Sequence, residues 1–169
     1  LKSGIIAIKL REGDELIDVV VAGPDDELVI STAQGMAIRF KESDARAMGR
    51  NSSGVKGISL VGDDHVVGMV VADPEGELLT VCENGYGKRT PFGPNLFDES
   101  EEEQAVEGTE GAEEVAEEEG EAVSSSRSYR TQRRGGKGLR DIRTTKRNGN
   151  VIAIVRVREG DELMMITAR

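Results

Sequence analysis

The feature that most constrains this sequence is a repeat. Displaced by fifty positions, the chain falls on itself without a gap: Gly4 on Gly54, Ile8 on Ile58, Leu10 on Leu60, Asp14 on Asp64, Pro24 on Pro74, Glu27 on Glu77, Leu28 on Leu78, Gly35 on Gly85 and Arg39 on Arg89. The apolar run Leu16–Ala22 falls on Val66–Ala72. A third copy begins at Gly135-Gly136-Lys137-Gly138-Leu139, which matches Gly54-Val55-Lys56-Gly57-Ile58 at a displacement of 81. The excess of 31 residues is an interruption of the second copy after Pro91-Phe92-Gly93-Pro94. Repetition at this period marks folds in which a supersecondary unit is stacked or arranged radially, because one unit cannot bury its apolar face alone.

Within a repeat the pattern is that of short strands. Ile5–Leu10, Leu16–Ala22, Leu28–Thr32 and Ala37–Phe40 are apolar or β-branched runs, and Glu12-Gly13-Asp14, Gly23-Pro24-Asp25-Asp26 and Gln34-Gly35 are turn signals between them. Gln34-Gly35 and Asn84-Gly85 stand where two-residue hairpins require positive φ. One helical turn is expected over Ser43–Met48. The predicted fold class is all-β: propeller-like blades of four antiparallel strands, about two and a half of them, which cannot close a ring. The organisation expected is two blades over 1–97, an acidic and Ser-rich insertion over 98–126, and a basic loop with the start of the next blade over 127–169. Leu1 at one end and the strand-like run Leu163–Thr167 at the other read as cuts within a longer chain.

Charge is separated along the chain. The formal charge is −10, a balance that disfavours contact with a phosphate backbone. Yet Asp98–Ala122 holds thirteen acidic residues and no basic one, whereas Arg127–Arg158 holds eleven basic residues against Asp141 alone. Without the acidic tract the total is −10 + 13 = +3, so the repeats form a mildly basic body. The tract is too poor in apolar side chains to offset chain entropy and is expected to be disordered. Its carboxylates, among them Glu99, Glu101, Glu102, Glu103, Glu117, Glu118 and Glu119, are either a solvated loop or a decoy that competes with DNA for neighbouring cations.

The sharpest local motif is the run Gln132-Arg133-Arg134-Gly135-Gly136-Lys137-Gly138. Arg133 and Arg134 can bind phosphate oxygens bidentately and Lys137 adds a point charge. Gly135, Gly136 and Gly138 let backbone N–H groups approach an anion. Arg127 and Arg130 precede the run, Arg140, Arg143, Lys146 and Arg147 follow it, and Tyr129 and Gln132 offer hydrogen bonds to sugar or phosphate. Arg39 and Arg89 recur at one repeat position, Lys88 beside the second, and Lys41, Arg46, Arg50 and Lys56 follow the first. Side by side, such positions would form a basic rim suited to a curved duplex held through its phosphates.

No catalytic constellation is visible. His65 has no nucleophile or ligand near it in sequence, and Cys82, within Leu78–Glu83, reads as a packed small apolar residue. A phosphate-binding loop ending in Gly-Lys-Ser/Thr is absent, and the Glu-rich tract lacks EF-hand spacing. No apolar run approaches the roughly 18–20 residues of a membrane helix, and one cysteine fits a reducing, cytoplasmic setting.

The run Gln132–Gly138 resembles the gyrase A-box, the signature of the C-terminal domain family of bacterial DNA gyrase A subunits. Gly13-Asp14-Glu15-Leu16, Arg39-Phe40-Lys41-Glu42-Ser43, Arg46-Ala47-Met48-Gly49, Gly54-Val55-Lys56-Gly57-Ile58, Asn84-Gly85-Tyr86-Gly87-Lys88-Arg89-Thr90 and Arg147-Asn148-Gly149 are similar to that family's blades. The resemblance implies a β-pinwheel, in which neighbouring blades exchange strands. It also implies wrapping of double-stranded DNA in support of ATP-dependent negative supercoiling. The implied partners are the gyrase B subunit together with a second A subunit, in an A2B2 heterotetramer. ATP and magnesium would act elsewhere in it, with no cofactor here. Two other readings stand beside it: the related domain of the topoisomerase IV A subunit, or a propeller that scaffolds proteins through its acidic loop. The chain departs from the family in the acidic insertion and in the box-like run, which follows two earlier repeats instead of opening the domain.

Overall fold

Each of the first two repeats contributes one hairpin, and the hairpins are the centres of two sheets. The computed structural model describes residues 4–95 and 129–167. In the first copy β1 (Glu27–Thr32) pairs antiparallel with β2 (Met36–Lys41), from Glu27↔Lys41 to Ser31↔Ala37. In the second, β4 (Glu77–Cys82) pairs with β5 (Gly87–Pro91), from Glu77↔Pro91 to Val81↔Gly87, the same register fifty residues on. The connections differ from the two-residue turn expected, which needs positive φ at both central residues. Here Gly35 and Gly85 take φ of 84° and 80°, while Gln34 and Asn84 do not. The N–H of Gly35 donates to the Thr32 carbonyl and that of Gly85 to the Cys82 carbonyl, each at 3.0 Å. These are three-residue loops in which a turn is followed by a left-handed glycine.

The sheets are completed by strands from later repeats. β3 (Val66–Val71), from the second copy, pairs with β1 of the first, and β7 (Val151–Val157), from the third, pairs with β4 of the second. β6 (Leu139–Arg140), just after the box-like run, pairs with β2 through Met36↔Arg140 and Ala37↔Leu139. The strand orders are β3-β1-β2-β6 and β5-β4-β7. Strand exchange between units is therefore as the resemblance implied. The segment after the insertion builds an edge strand of each sheet, β6 in the first and β7 in the second.

Exchange also explains where the expected strands are missing. Leu16–Ala22 is the repeat equivalent of β3, which pairs with a hairpin of the copy before its own; none of the described residues offers it such a hairpin, and Leu16, Val19 and Val21 are exposed with no ladder. Leu163–Thr167 corresponds to the start of β4 and is likewise outside any strand of the described residues. Ile5–Leu10 is also outside any strand. Apolar alternation marks a strand's readiness to pair, and the ladder needs a partner in register. The helical turn expected at Ser43–Met48 is a 3-10 turn over Glu42–Asp44.

β1 is buried on both faces. Leu28 packs with Ile38, Phe40 and Ile58 on one side, while Val29 packs with Ala37, Ala72, Leu78, Phe92 and Tyr129 on the other. The second cluster spans both sheets, and each such aliphatic side chain removed from water contributes about 1.5–3 kcal/mol. Cys82 is buried at the end of β4, and burial pushes its thiol above the ordinary range.

The turn into β4 is tied to β7 by charge. Asp73 accepts from Arg158 Nε at 2.5 Å and Arg156 Nη1 at 3.1 Å. The Arg158 hydrogen bond holds the Asp73 carboxyl below its usual value of 3.8. A carboxyl depressed in the folded state contributes stability in full above the unfolded pKa, and that contribution is lost as pH falls through the folded value. Asp73→Asn should therefore be less stable than the parent near neutral pH, with the difference narrowing as pH drops below 3.8. Urea melts across that range check this; a pH-independent difference would remove the electrostatic explanation.

Candidate nucleic-acid interface

The box-like run lies against the outer edge of the first sheet and is held there by backbone hydrogen bonds. Gln132 donates its N–H to the Arg39 carbonyl at 2.7 Å and Gly135 to the Gly57 carbonyl at 2.7 Å. Ser59 returns two bonds, its N–H to Gly136 O at 2.8 Å and its hydroxyl to Gly135 O at 2.7 Å. Gly138 has φ of 77°, and a Cβ there would stand 2.4 Å from the Ala37 carbonyl oxygen, so only glycine lets the run enter β6. The expectation that these glycines cradle an anion is corrected in part. The Gly135 N–H is spent on the fold, and the glycines serve close approach of two backbones.

Docking divides the cations of the run. Arg133 and Lys137 are exposed, as are Arg130 before them and Arg140 after them. Arg134 is half-buried and donates Nε to the Asp44 carbonyl at 2.9 Å and Nη1 to the Lys56 carbonyl. It anchors the run to the connection after β2, which carries exposed Arg46, Arg50 and Lys56. A Cβ on Gly135 would meet the Lys56 side chain at 3.8 Å, so Lys56 joins the group. Lys41 closes β2 and is half-buried, as is Gln132.

Three sequence expectations are overturned. Arg39 is not on the rim: it is 1% exposed, and its Nε pairs with Glu27 at 2.5 Å. Its remaining donors go to the carbonyls of Phe92 (2.5 Å), Tyr129 (3.0 Å) and Pro94 (3.4 Å) and to Asn95 Oδ1 (2.7 Å). Arg89, its repeat equivalent, is exposed and pairs with Glu77. The recurrence of arginine at this position thus reflects a recurring cross-strand pair, Glu27–Arg39 and Glu77–Arg89. Lys88 turns inward, pairing with Asp141 at 3.1 Å and donating to its carbonyl. Tyr129 is buried, and its hydroxyl donates to Asp141 Oδ1 at 2.5 Å. Burial beside that carboxylate pushes the phenol well above its usual range.

Asp141 is the residue the sequence reading undervalued. Buried, it accepts from Thr80 at 2.6 Å, Tyr129 and Lys88, and so joins the second hairpin to the segment after the insertion. Its signal was present, as the one acid among the cations of Arg127–Arg158. Glu27 takes the corresponding place on the first sheet, accepting from Thr131 at 2.7 Å as well as from Arg39. The proposed regulatory carboxylates Glu99–Glu103 and Glu117–Glu119 lie outside the described residues.

Strand-exchanging β-blades with a glycine-bearing cationic run docked on an outer edge define the class, a propeller-like repeat domain. The family model described as DNA gyrase C-terminal domain, beta-propeller, matches residues 2–22, 26–73, 76–93 and 123–168, and the chain belongs to this family. It is 41% identical over 165 residues to the DNA gyrase A subunit of Klebsiella oxytoca and 39% identical over 165 residues to that of Escherichia coli K12. Each alignment takes in 98% of this chain and 15% of the relative, so the chain spans about a seventh of their length. A solved gyrase A C-terminal domain superposes with a TM-score of 0.67 at 25% identity, covering 94% of this chain and 43% of that one. A topoisomerase IV C-terminal domain gives 0.64 at 19% identity over 90% of this chain and 38% of that one, a likeness of fold.

The two arginines of the repeated pair should respond differently to truncation. Arg39→Ala leaves Glu27 buried without its counter-charge and should cost about 3–5 kcal/mol. Arg89→Ala removes an exposed pair and should cost about 0–1 kcal/mol. Chemical denaturation of the two variants checks this, and equal losses would contradict the burial difference.

Proposed function

We propose that this chain is part of the DNA-wrapping domain of a gyrase A subunit, non-catalytic in itself. It would bend duplex DNA along its basic edge in support of ATP-dependent negative supercoiling. The observation that carries the reading is the docked box-like run. Its backbone is fixed to β2 and to the connection after it, while Arg130, Arg133, Lys137, Arg140 and, in that connection, Lys56 are exposed. Cations on a rigid backbone suit phosphates along a curved path and read no bases. The partners in this reading are double-stranded DNA and, in an A2B2 assembly, the gyrase B subunit with a second A subunit. ATP and magnesium would act elsewhere in that complex, and the setting would be the bacterial cytoplasm. The acidic insertion would compete with DNA for the neighbouring cations.

Replacing Arg133 and Lys137 with Ala in the complete protein should weaken duplex binding. The log–log salt slope should become shallower by about 0.9 for each phosphate no longer neutralised. Supercoiling should fall more than relaxation, because cleavage chemistry lies elsewhere; equal loss of both would contradict the assignment. An end-labelled duplex of about 100 base pairs, shorter than the persistence length of roughly 150, should bring its ends closer on binding. Binding without that approach would leave tethering in place of wrapping. Deleting 98–122 should raise duplex affinity at low salt, and unchanged affinity would reduce the tract to a passive loop.

A further inference from the structure

We propose that the link Arg143–Asn150 and the hairpin Glu83–Tyr86 form a second phosphate-contact site for duplex DNA. Lys146 and Arg147 are its ligands, and Tyr86 is the residue that positions Arg147. This rests on the DNA-binding reading above and adds a site on the second sheet, apart from the box-like run.

The site arises from a local departure between repeats. Val61 corresponds to Ile142, a displacement of 142 − 61 = 81, but Val66 pairs with Thr32 as Val151 pairs with Cys82, a displacement of 151 − 66 = 85. The link into β7 is thus four residues longer than the link into β3. Both links cap the hairpin of the preceding repeat and share one backbone bond, Ala33 N–H to the His65 carbonyl at 2.8 Å in the first sheet and Glu83 N–H to the Asn150 carbonyl at 2.9 Å in the second. They differ at the next residue. In the first sheet carboxylates accept there: Gln34 donates its N–H to Asp64 Oδ1 at 2.9 Å and its Nε2 to Asp63 Oδ1 at 2.7 Å. In the second, carbonyls accept: Asn84 donates its N–H to the Asn148 carbonyl at 3.1 Å and its Nδ2 to the Arg147 carbonyl at 3.0 Å, so no carboxylate is needed at that position. The same end of the blade is acidic in one sheet and carries Arg143, Lys146 and Arg147 in the other.

The cationic turn is closed by its own hydrogen bonds. Asn148 Oδ1 accepts from the Thr145 N–H at 2.6 Å and hydroxyl at 2.8 Å, and its Nδ2 donates to the Arg143 carbonyl at 2.9 Å. The N–H of Gly149 closes the turn on the Thr145 carbonyl at 2.8 Å. Arg147 lies over the Tyr86 ring, 5.1 Å from its centre, and donates Nε to the Tyr86 hydroxyl at 2.9 Å. Stacking and one hydrogen bond fix the plane of the guanidinium while the terminal nitrogens keep their donors for a ligand. That is the arrangement a bidentate phosphate contact requires, with part of the ordering cost met before binding. Arg147 and Lys146 are both exposed. The adjacent carboxylate, Glu83, is occupied in accepting the Asn150 N–H at 2.9 Å.

The site is continuous with the box-like run. Asp141 and Ile142 donate their N–H groups to the Gly35 carbonyl at 2.9 and 3.2 Å, so the chain passes from the edge of the first sheet directly to this turn. Arg133, Lys137, Arg140, Arg143, Lys146 and Arg147 then form one string from the first sheet to the hairpin end of the second. A duplex that follows it meets cations at both sheets.

The test uses the complete protein and a duplex of about 150 base pairs, one persistence length, with Lys146→Gln/Arg147→Gln and Tyr86→Phe. For two phosphate contacts the double variant should have a log–log salt slope shallower by about 1.8, with an unchanged melting temperature. Tyr86→Phe should keep the slope and weaken affinity, since the charge remains and its positioning is relaxed. In the parent, saturating duplex should protect the Lys146 amine from acetylation, a readout that needs no variant to fold. An unchanged slope in the double variant, or Lys146 labelled equally with and without DNA, overturns this site while leaving the box-like run as the contact. A parent protein that fails to bind duplex at all overturns the site together with the reading it rests on.

Discussion

The buried pair of Arg39 and Glu27 is the interaction on which the rest of this structure depends. A guanidinium in the interior is stable only when its charge is balanced and its donors are used. Glu27 balances it from the neighbouring strand, and carbonyls of Phe92, Pro94 and Tyr129 with the amide of Asn95 use the donors. Those acceptors come from both sides of the interruption. One side chain of the first repeat therefore gathers the second repeat from both sides of its interruption. The outer edge of the first sheet, including the box-like run, is assembled around it.

Asp141 plays the complementary part on the second sheet. It draws Lys88 and Tyr129 inward and bonds Thr80 in β4. A carboxylate thus sits where the local sequence is almost wholly basic, and the cations divide accordingly. Lys88 and Arg39 satisfy buried acids, Arg134 satisfies carbonyls, and Arg133, Lys137, Arg140, Lys146 and Arg147 are turned outward. The division follows from desolvation: a cation facing the interior must find an anion or several carbonyls, and those that find neither remain in water.

Much of the fold was legible. The fifty-residue displacement located both hairpins with their register. The turn positions were right, although the geometry was a three-residue loop with one left-handed glycine each. Leu16–Ala22 and Leu163–Thr167 differ from expectation because their apolar alternation is intact while no strand among the described residues stands in register to pair with them. The site was less legible. Arg39 and Arg89 occupy one repeat position and have one partner type, yet only Arg39 is covered by the segment that includes Tyr129. Tyr129 itself, placed among cations, read as a phosphate contact when it is part of the core.

By itself, the sequence determined the repeat, the strand pattern of each unit, the separation of acid from base and the family to which the chain belongs. These are properties of local composition and spacing, and they survive in any arrangement of the units. Only the tertiary structure decided which cations face solvent, because burial depends on which later segment covers which edge. Residues some hundred positions apart, Glu27 and Thr131, share one hydrogen bond. A repeat pattern carries the likeness of its units, and the differences between them come from what each unit is packed against.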